Sequence, residues 1–155
     1  MASLPAVALG TAIGLATGLG GYTLFYARAA SYLTDDPQAC VNCHVMREPF
    51  DGWLGASHRA VAVCNDCHTP PGAIAKYAVK ARNGFWHSFY FTFGGFPDVI
   101  TVTPLNRRVI ESACRHCHAP IVDAIEGPAA GPAARAAGQM RTDCIACHRD
   151  VGHPH

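Results

Sequence analysis

The pattern Cys-x-x-Cys-His occurs four times in this chain of 155 residues. The copies are Cys40-Val41-Asn42-Cys43-His44, Cys64-Asn65-Asp66-Cys67-His68, Cys114-Arg115-His116-Cys117-His118 and Cys144-Ile145-Ala146-Cys147-His148. Together they use all eight cysteines. This spacing is the attachment signature of c-type haem. Two thiols three residues apart each form a thioether to one porphyrin, and the histidine that follows is held against the iron as an axial ligand. Zinc sites and dithiol redox centres also use Cys-x-x-Cys pairs, and disulfide scaffolds also use even cysteine counts. Neither gives histidine a reason to follow every second cysteine. The expectation is four covalently bound haem c groups, each with its iron, ligated by His44, His68, His118 and His148.

The stretch 4–27, LPAVALGTAIGLATGLGGYTLFYA, carries no charge. As a helix it would run about 36 Å, enough for a hydrocarbon layer of about 30 Å. A cleaved signal peptide has an apolar region of roughly 7–15 residues behind a basic start. Here no basic residue precedes the run, so the expectation is a retained single-pass anchor at 1–28, although Ala27-Arg28-Ala29 has a weak likeness to a cleavage site. Tyr22, Phe25 and Tyr26 suit the membrane–water interface. Gly10, Gly14 and Gly18 line one helix face and allow close approach of a second helix, hence self-association; an ordinary glycine-rich span reads equally well. Arg28 falls on the exported side, so charge bias does not give the orientation. The side on which haem is attached does, and it puts a haem domain of 29–155 on the periplasmic side of the cytoplasmic (inner) membrane.

The formal net charge is +1, which gives no case for a nucleic-acid partner. Few residues remain after the anchor to enclose four haems. The expected fold is therefore mainly α with much irregular structure: one transmembrane helix, then a small multihaem domain whose core is the haems. Free histidines are the supply of second axial ligands. His58 and His153 are the candidates, while His116 inside the third motif reads as a bystander and His155 as frayed. After the turn at Thr69-Pro70-Pro71-Gly72, residues 73–87 read as a helix with Lys76, Lys80 and Arg82. It runs into an aromatic stretch, 85–93, that suits the lipid interface or packing on haem faces. Gly94-Gly95-Phe96-Pro97 closes it. Residues 98–113 read as an extended or loosely helical connection broken by Pro104, and 127–138 as a low-complexity spacer.

One N-terminal span, four attachment motifs, a methionine two residues past the first motif and a histidine soon after the last resemble the NapC/NirT family of membrane-anchored tetrahaem quinol dehydrogenases. The likeness covers essentially the whole chain. Its short length and the segment from the second motif to His87 are similar to the small subunits of ammonia-forming nitrite reductase complexes. The resemblance implies menaquinol as substrate, oxidised near haem 1 at the membrane surface, with membrane lipid delivering it. It implies a periplasmic multihaem nitrite reductase catalytic subunit as the partner. It implies Met46 in place of His44 on the iron of haem 1. Two residues so close compete for one face, a thioether would raise the potential, and a packing methionine is the other reading. It further implies Lys80 as a quinol-site lysine. At His87 the family carries a carboxylate over haem 1, so His87 either ligates that iron or hydrogen-bonds the quinol and takes a proton. His58 and His153 match distal ligands of haems deeper in the chain. They cannot complete three haems between them, which leaves room for a lysine from the partner.

The alternative is an electron hub, quinol-fed or protein-fed, serving other periplasmic reductases. The basic, aromatic stretch 76–93 favours contact with quinol. No motif replaces histidine by lysine, so nitrite reduction by this chain itself is not expected. Mass spectrometry of the denatured mature chain should show four haem additions, one per motif; fewer would remove the tetrahaem reading.

Overall fold

The computed structural model describes residues 3–95, 97, 99–127 and 142–153. Most of the spacer expected at 127–138, and His155, lie outside them. The architecture is mainly helical, with no strand among the described residues. It divides into two compact units, 1–47 and 48–155.

The first unit opens with α1 (Leu4–Tyr26), 23 residues with Pro5 in the first turn, where a missing N–H costs nothing. None of its residues is buried. Its three threonines return their hydroxyls to the helix: Thr11, Thr17 and Thr23 donate to the carbonyls of Val7, Ile13 and Leu19 at 2.9, 2.8 and 2.7 Å. That satisfies polar groups that lipid could not. By length and composition α1 is long and apolar enough to cross a membrane. Tyr22 and Tyr26 stack at its end, 6.0 Å apart. Arg28 then takes a left-handed conformation, φ 52°, which turns the chain out of the helix. Three 3₁₀ turns follow, Ala29–Leu33, Pro37–Asn42 and His44–Met46. Asn42 donates to Ser31 Oγ at 2.9 Å, and the Tyr32 hydroxyl lies 3.9 Å from Cys43 Sγ. The first attachment motif is thus tied to the neck that leaves the membrane helix.

The second unit holds α2 (Arg47–Gly55), α3 (Cys64–His68), α4 (Ala73–Phe93), α5 (Pro104–Cys117), α6 (Ala119–Glu126) and α7 (Cys144–Cys147). The second, third and fourth motifs fall on α3, the end of α5 and α7. Both α3 and α7 pack on α5. Helix α4 is continuous over 21 residues and stops where Gly94 and Gly95 take positive φ of 79° and 90°. That agrees with the helix, aromatic stretch and terminator expected there. The connection expected over 98–113 is corrected: Pro104 begins a 14-residue helix rather than breaking one. Thr103 caps it, accepting from Asn106 N at 3.3 Å. Proline suits a first turn because that N–H has no helical partner in any case.

Half of the sequence is apolar, yet Ala39, Ala113 and Thr69 are the only buried residues described, and no side chain there is fully buried. Such a polypeptide has almost no interior of its own. Aromatic and aliphatic side chains that would close a core elsewhere stay exposed, among them Phe91 at 73% and Val99 at 74%.

The span predicts how the protein leaves the membrane. High-salt washing should leave it in the pellet and detergent should release it, because apolar burial, unlike ion pairing, is not screened by salt. Release by salt alone would contradict the anchor.

Candidate metal centre

Two pairs of imidazoles face each other in the second unit. The rings of His58 and His118 have centroids 5.9 Å apart at 78°. Those of His68 and His153 are 6.0 Å apart at 39°. Each pair joins a motif histidine to one of the two candidate distal ligands, His58 and His153. A metal–imidazole bond is about 2 Å, and a ring nitrogen lies roughly 1 Å from its centroid, so two imidazoles on opposite sides of one metal have centroids about 6 Å apart. Both pairs therefore fit the axial positions of an iron.

The supports are local. In α2, Trp53 Nε1 donates to Ala62 O at 3.1 Å and ties down the loop that carries His58. Ser57 Oγ lies 3.2 Å from His58 Nδ1. His153 Nδ1 lies 2.7 Å from Pro49 O. A carbonyl only accepts, so Nδ1 carries the proton and Nε2 is left to ligate, the usual outer support of a metal-bound histidine. His68 is exposed by surface area, yet enough protein surrounds its ring to lower its pKa. The facing His153 adds in the same direction. Both favour the neutral imidazole that a metal requires.

The thiols are consistent with attachment. All eight cysteines are free of disulfides, and no three His, Cys, Asp or Glu side chains converge as a metal site among the described residues. Burial first, then the neighbouring Asp66 and Cys117, raises Cys67; burial, then Glu111 and Cys67, raises Cys114. Cys144 is pushed up to about 11, by burial and then by Glu111.

A charged stripe on α5 meets the fourth motif. Arg107 Nη2 donates to both carboxylate oxygens of Asp143, at 2.8 and 2.7 Å. Glu111 accepts from the backbone N–H groups of Cys144 and Ile145, at 3.2 and 3.0 Å. Arg115 donates to Thr142 O at 2.6 Å and pairs with Glu126, which also accepts from Thr142 N at 3.3 Å. Asp143 caps α7 through Ala146 N at 3.0 Å, and its carboxyl is held below the usual range chiefly by Arg107. None of this was expected from the sequence. The signal was there: Arg107, Glu111 and Arg115 recur every fourth residue behind a Thr-Pro helix start.

The remaining candidates are placed as follows. His44 and Met46 are the first and last residues of one 3₁₀ turn in the first unit, His44 exposed and Met46 half-buried. Lys80 and His87 lie on α4, two turns apart along one face. Lys80 is half-buried with Nζ 5.6 Å from the Tyr77 ring centre, and His87 is exposed. Beside them Phe85, Trp86, Phe89, Tyr90 and Phe93 form a continuous ladder of ring contacts, from 4.9 to 6.2 Å between centroids. His116 is exposed, as expected of a bystander. Among the described residues no second imidazole faces His44 or His148.

Residues 3–99 match the NapC/NirT cytochrome c family in its N-terminal region. The chain is 40% identical over 106 residues to the cytochrome c-type protein NrfH of Wolinella succinogenes, a match covering 68% of this chain and 60% of that protein. It is 29% identical over 144 residues to the cytochrome c nitrite reductase subunit NrfH of Nitratidesulfovibrio vulgaris, covering 87% of this chain and 81% of the relative. A similar solved structure is the crystal structure of the cytochrome c nitrite reductase NrfHA complex bound to the HQNO inhibitor. Its TM-score is 0.62 at 27% identity, over 94% of this chain and 88% of that one.

Replacing either free histidine should open one iron. His58→Ala and His153→Ala should each convert one low-spin haem to high-spin, read by electron paramagnetic resonance, and His116→Ala should convert none. Unchanged low-spin signals in both would remove these pairs as ligands.

Proposed function

The chain belongs to the NapC/NirT cytochrome c family, and from that premise we propose that it is a membrane-anchored tetrahaem quinol dehydrogenase. In this reading it oxidises menaquinol beside haem 1. It then passes electrons through its haems to a periplasmic multihaem nitrite reductase catalytic subunit. The haem c groups supply reversible one-electron chemistry at iron. The observation that carries the reading is the pair of facing imidazole sets. His58 with His118, and His68 with His153, would hold an iron from both sides, and a group so held would supply electron transfer rather than a site for nitrite. The match to nitrite reductase subunits supports the choice of partner, and the membrane-spanning α1 supports a lipid-borne reductant.

A quinol releases two electrons and two protons, and the irons accept only the electrons. The protons must go to a group of the protein or to water. His87 carries an imidazole, which can accept a proton and pass it on. Lys80 donates a hydrogen bond to a quinone oxygen and stabilises negative charge as it develops there. The two residues lie on one face of α4, two turns apart, and the aromatic ladder beside them offers an apolar surface for a quinol ring. Met46, as a thioether ligand to the first iron in place of His44, would raise its potential and favour electron entry. A sixth ligand for one haem would come from the catalytic subunit, a lysine in the resemblance noted above. Attachment of haem outside the cytoplasm puts the domain on the periplasmic side.

Lys80→Leu should slow haem reduction by a menaquinol analogue by about 100-fold, with the spectrum and reduction by dithionite unchanged. Wild-type quinol oxidation in this variant would move the site elsewhere. If His87→Ala alters a low-spin signal, His87 is an axial ligand and the proton goes to another group.

A further inference from the structure

The linker entering the fourth motif is dominated by alanine, glycine and proline. Its few longer side chains are Arg135, Gln139, Met140 and Arg141. The motif's own helix, α7, has four residues, far below the length at which a helix is stable alone. Position must come from elsewhere. Three side chains of α5, one per turn, grip four consecutive residues, Thr142, Asp143, Cys144 and Ile145. The contacts differ in kind. Arg107 makes a two-pronged charge-assisted pair, Glu111 holds two backbone N–H groups, and Arg115 holds a carbonyl. Arg115 also stands between Cys114 and Cys117, so one side chain belongs to the third motif while touching the entrance to the fourth. The Arg115–Glu126 pair is largely shielded, with side chains 10% and 6% exposed, so water screens it little.

We propose that Arg107, Glu111 and Arg115 form a positioning clamp that fixes the fourth attachment motif against the third, and so sets how fast electrons pass between their irons. The step moves one electron: the iron ligated by His118 is oxidised as the iron ligated by His148 is reduced, with no proton required. The clamp touches neither iron. It acts through the backbone that carries Cys144. This rests on the tetrahaem reading, and haem counting of the wild type tests that reading separately.

Arg107→Ala, Glu111→Gln and the conservative Arg107→Lys are made in the full-length protein in detergent. Three quantities are measured: haem count by mass, magnetic interaction between the two ferric haems by paramagnetic resonance, and the rates of quinol-driven haem reduction and of electron exit to the catalytic subunit. The clamp predicts four haems in every variant and unchanged quinol-driven reduction of the earlier haems. It predicts a weakened interaction signal in Arg107→Ala and Glu111→Gln, with exit slowed about 10- to 100-fold. Arg107→Lys should restore most of both. A wild-type interaction signal in the two disrupting variants overturns the proposal. So does equal slowing of haem reduction and exit, which would mean general damage. Loss of the fourth haem would assign the stripe to attachment instead and overturns it as well. The resonance measurement needs neither quinol nor partner, so its result stands even if the wild type fails to oxidise quinol.

Discussion

In the tetrahaem reading proposed above, attachment at each Cys-x-x-Cys-His motif would pin five residues to one edge of a rigid plate, and four such pins would organise the polypeptide. Little else in the chain could do it. Three described residues are buried, two of them alanines. Helices α3 and α7, which bear the second and fourth motifs, have five and four residues. Such helices do not persist in water without tertiary support. The apolar side chains left exposed are what a chain shows when its hydrophobic partner is a flat ring rather than another side chain. On this view stability and redox function are not separable properties, because the same groups supply both.

Helix α5 converts separate pins into an ordered array. It carries the third motif at its end, takes α3 on one side and meets residues 142–145 on another. Second, third and fourth motifs are therefore neighbours through one element. The histidine pairs work at longer range. His58 and His153 come from regions remote in sequence from their partners, so each iron would also serve as a cross-link between distant stretches. In that reading an electron path and a set of tertiary staples would coincide.

The parts of this architecture that could be read from residues alone are those with local grammar. An uncharged run announced α1. Gly94 and Gly95 announced the end of α4. That His58 and His153 would stand opposite motif histidines could be anticipated, since histidines outside the motifs are few. Which motif each would face was not legible, because no local pattern records a contact between residues so far apart. Pro104 was misread because proline was weighed as a helix breaker without Thr103 before it; together the two are a start signal. The stripe of Arg107, Glu111 and Arg115 had visible periodicity but no visible target, as its partners are mostly backbone groups beyond the linker.

The threonines of α1 carry a consequence for how that helix can meet another. Thr11, Thr17 and Thr23 have each committed their hydroxyl proton to a carbonyl one turn back. None is left to offer a neighbouring helix. At Gly10, Gly14 and Gly18 an added methyl group would meet nothing within 4 Å in this chain, so the chain's own fold does not require glycine there. Any helix seated on that face is held by the closeness of two backbones, not by polar attraction. Such a contact is blind to pH and salt and sensitive to a single carbon atom.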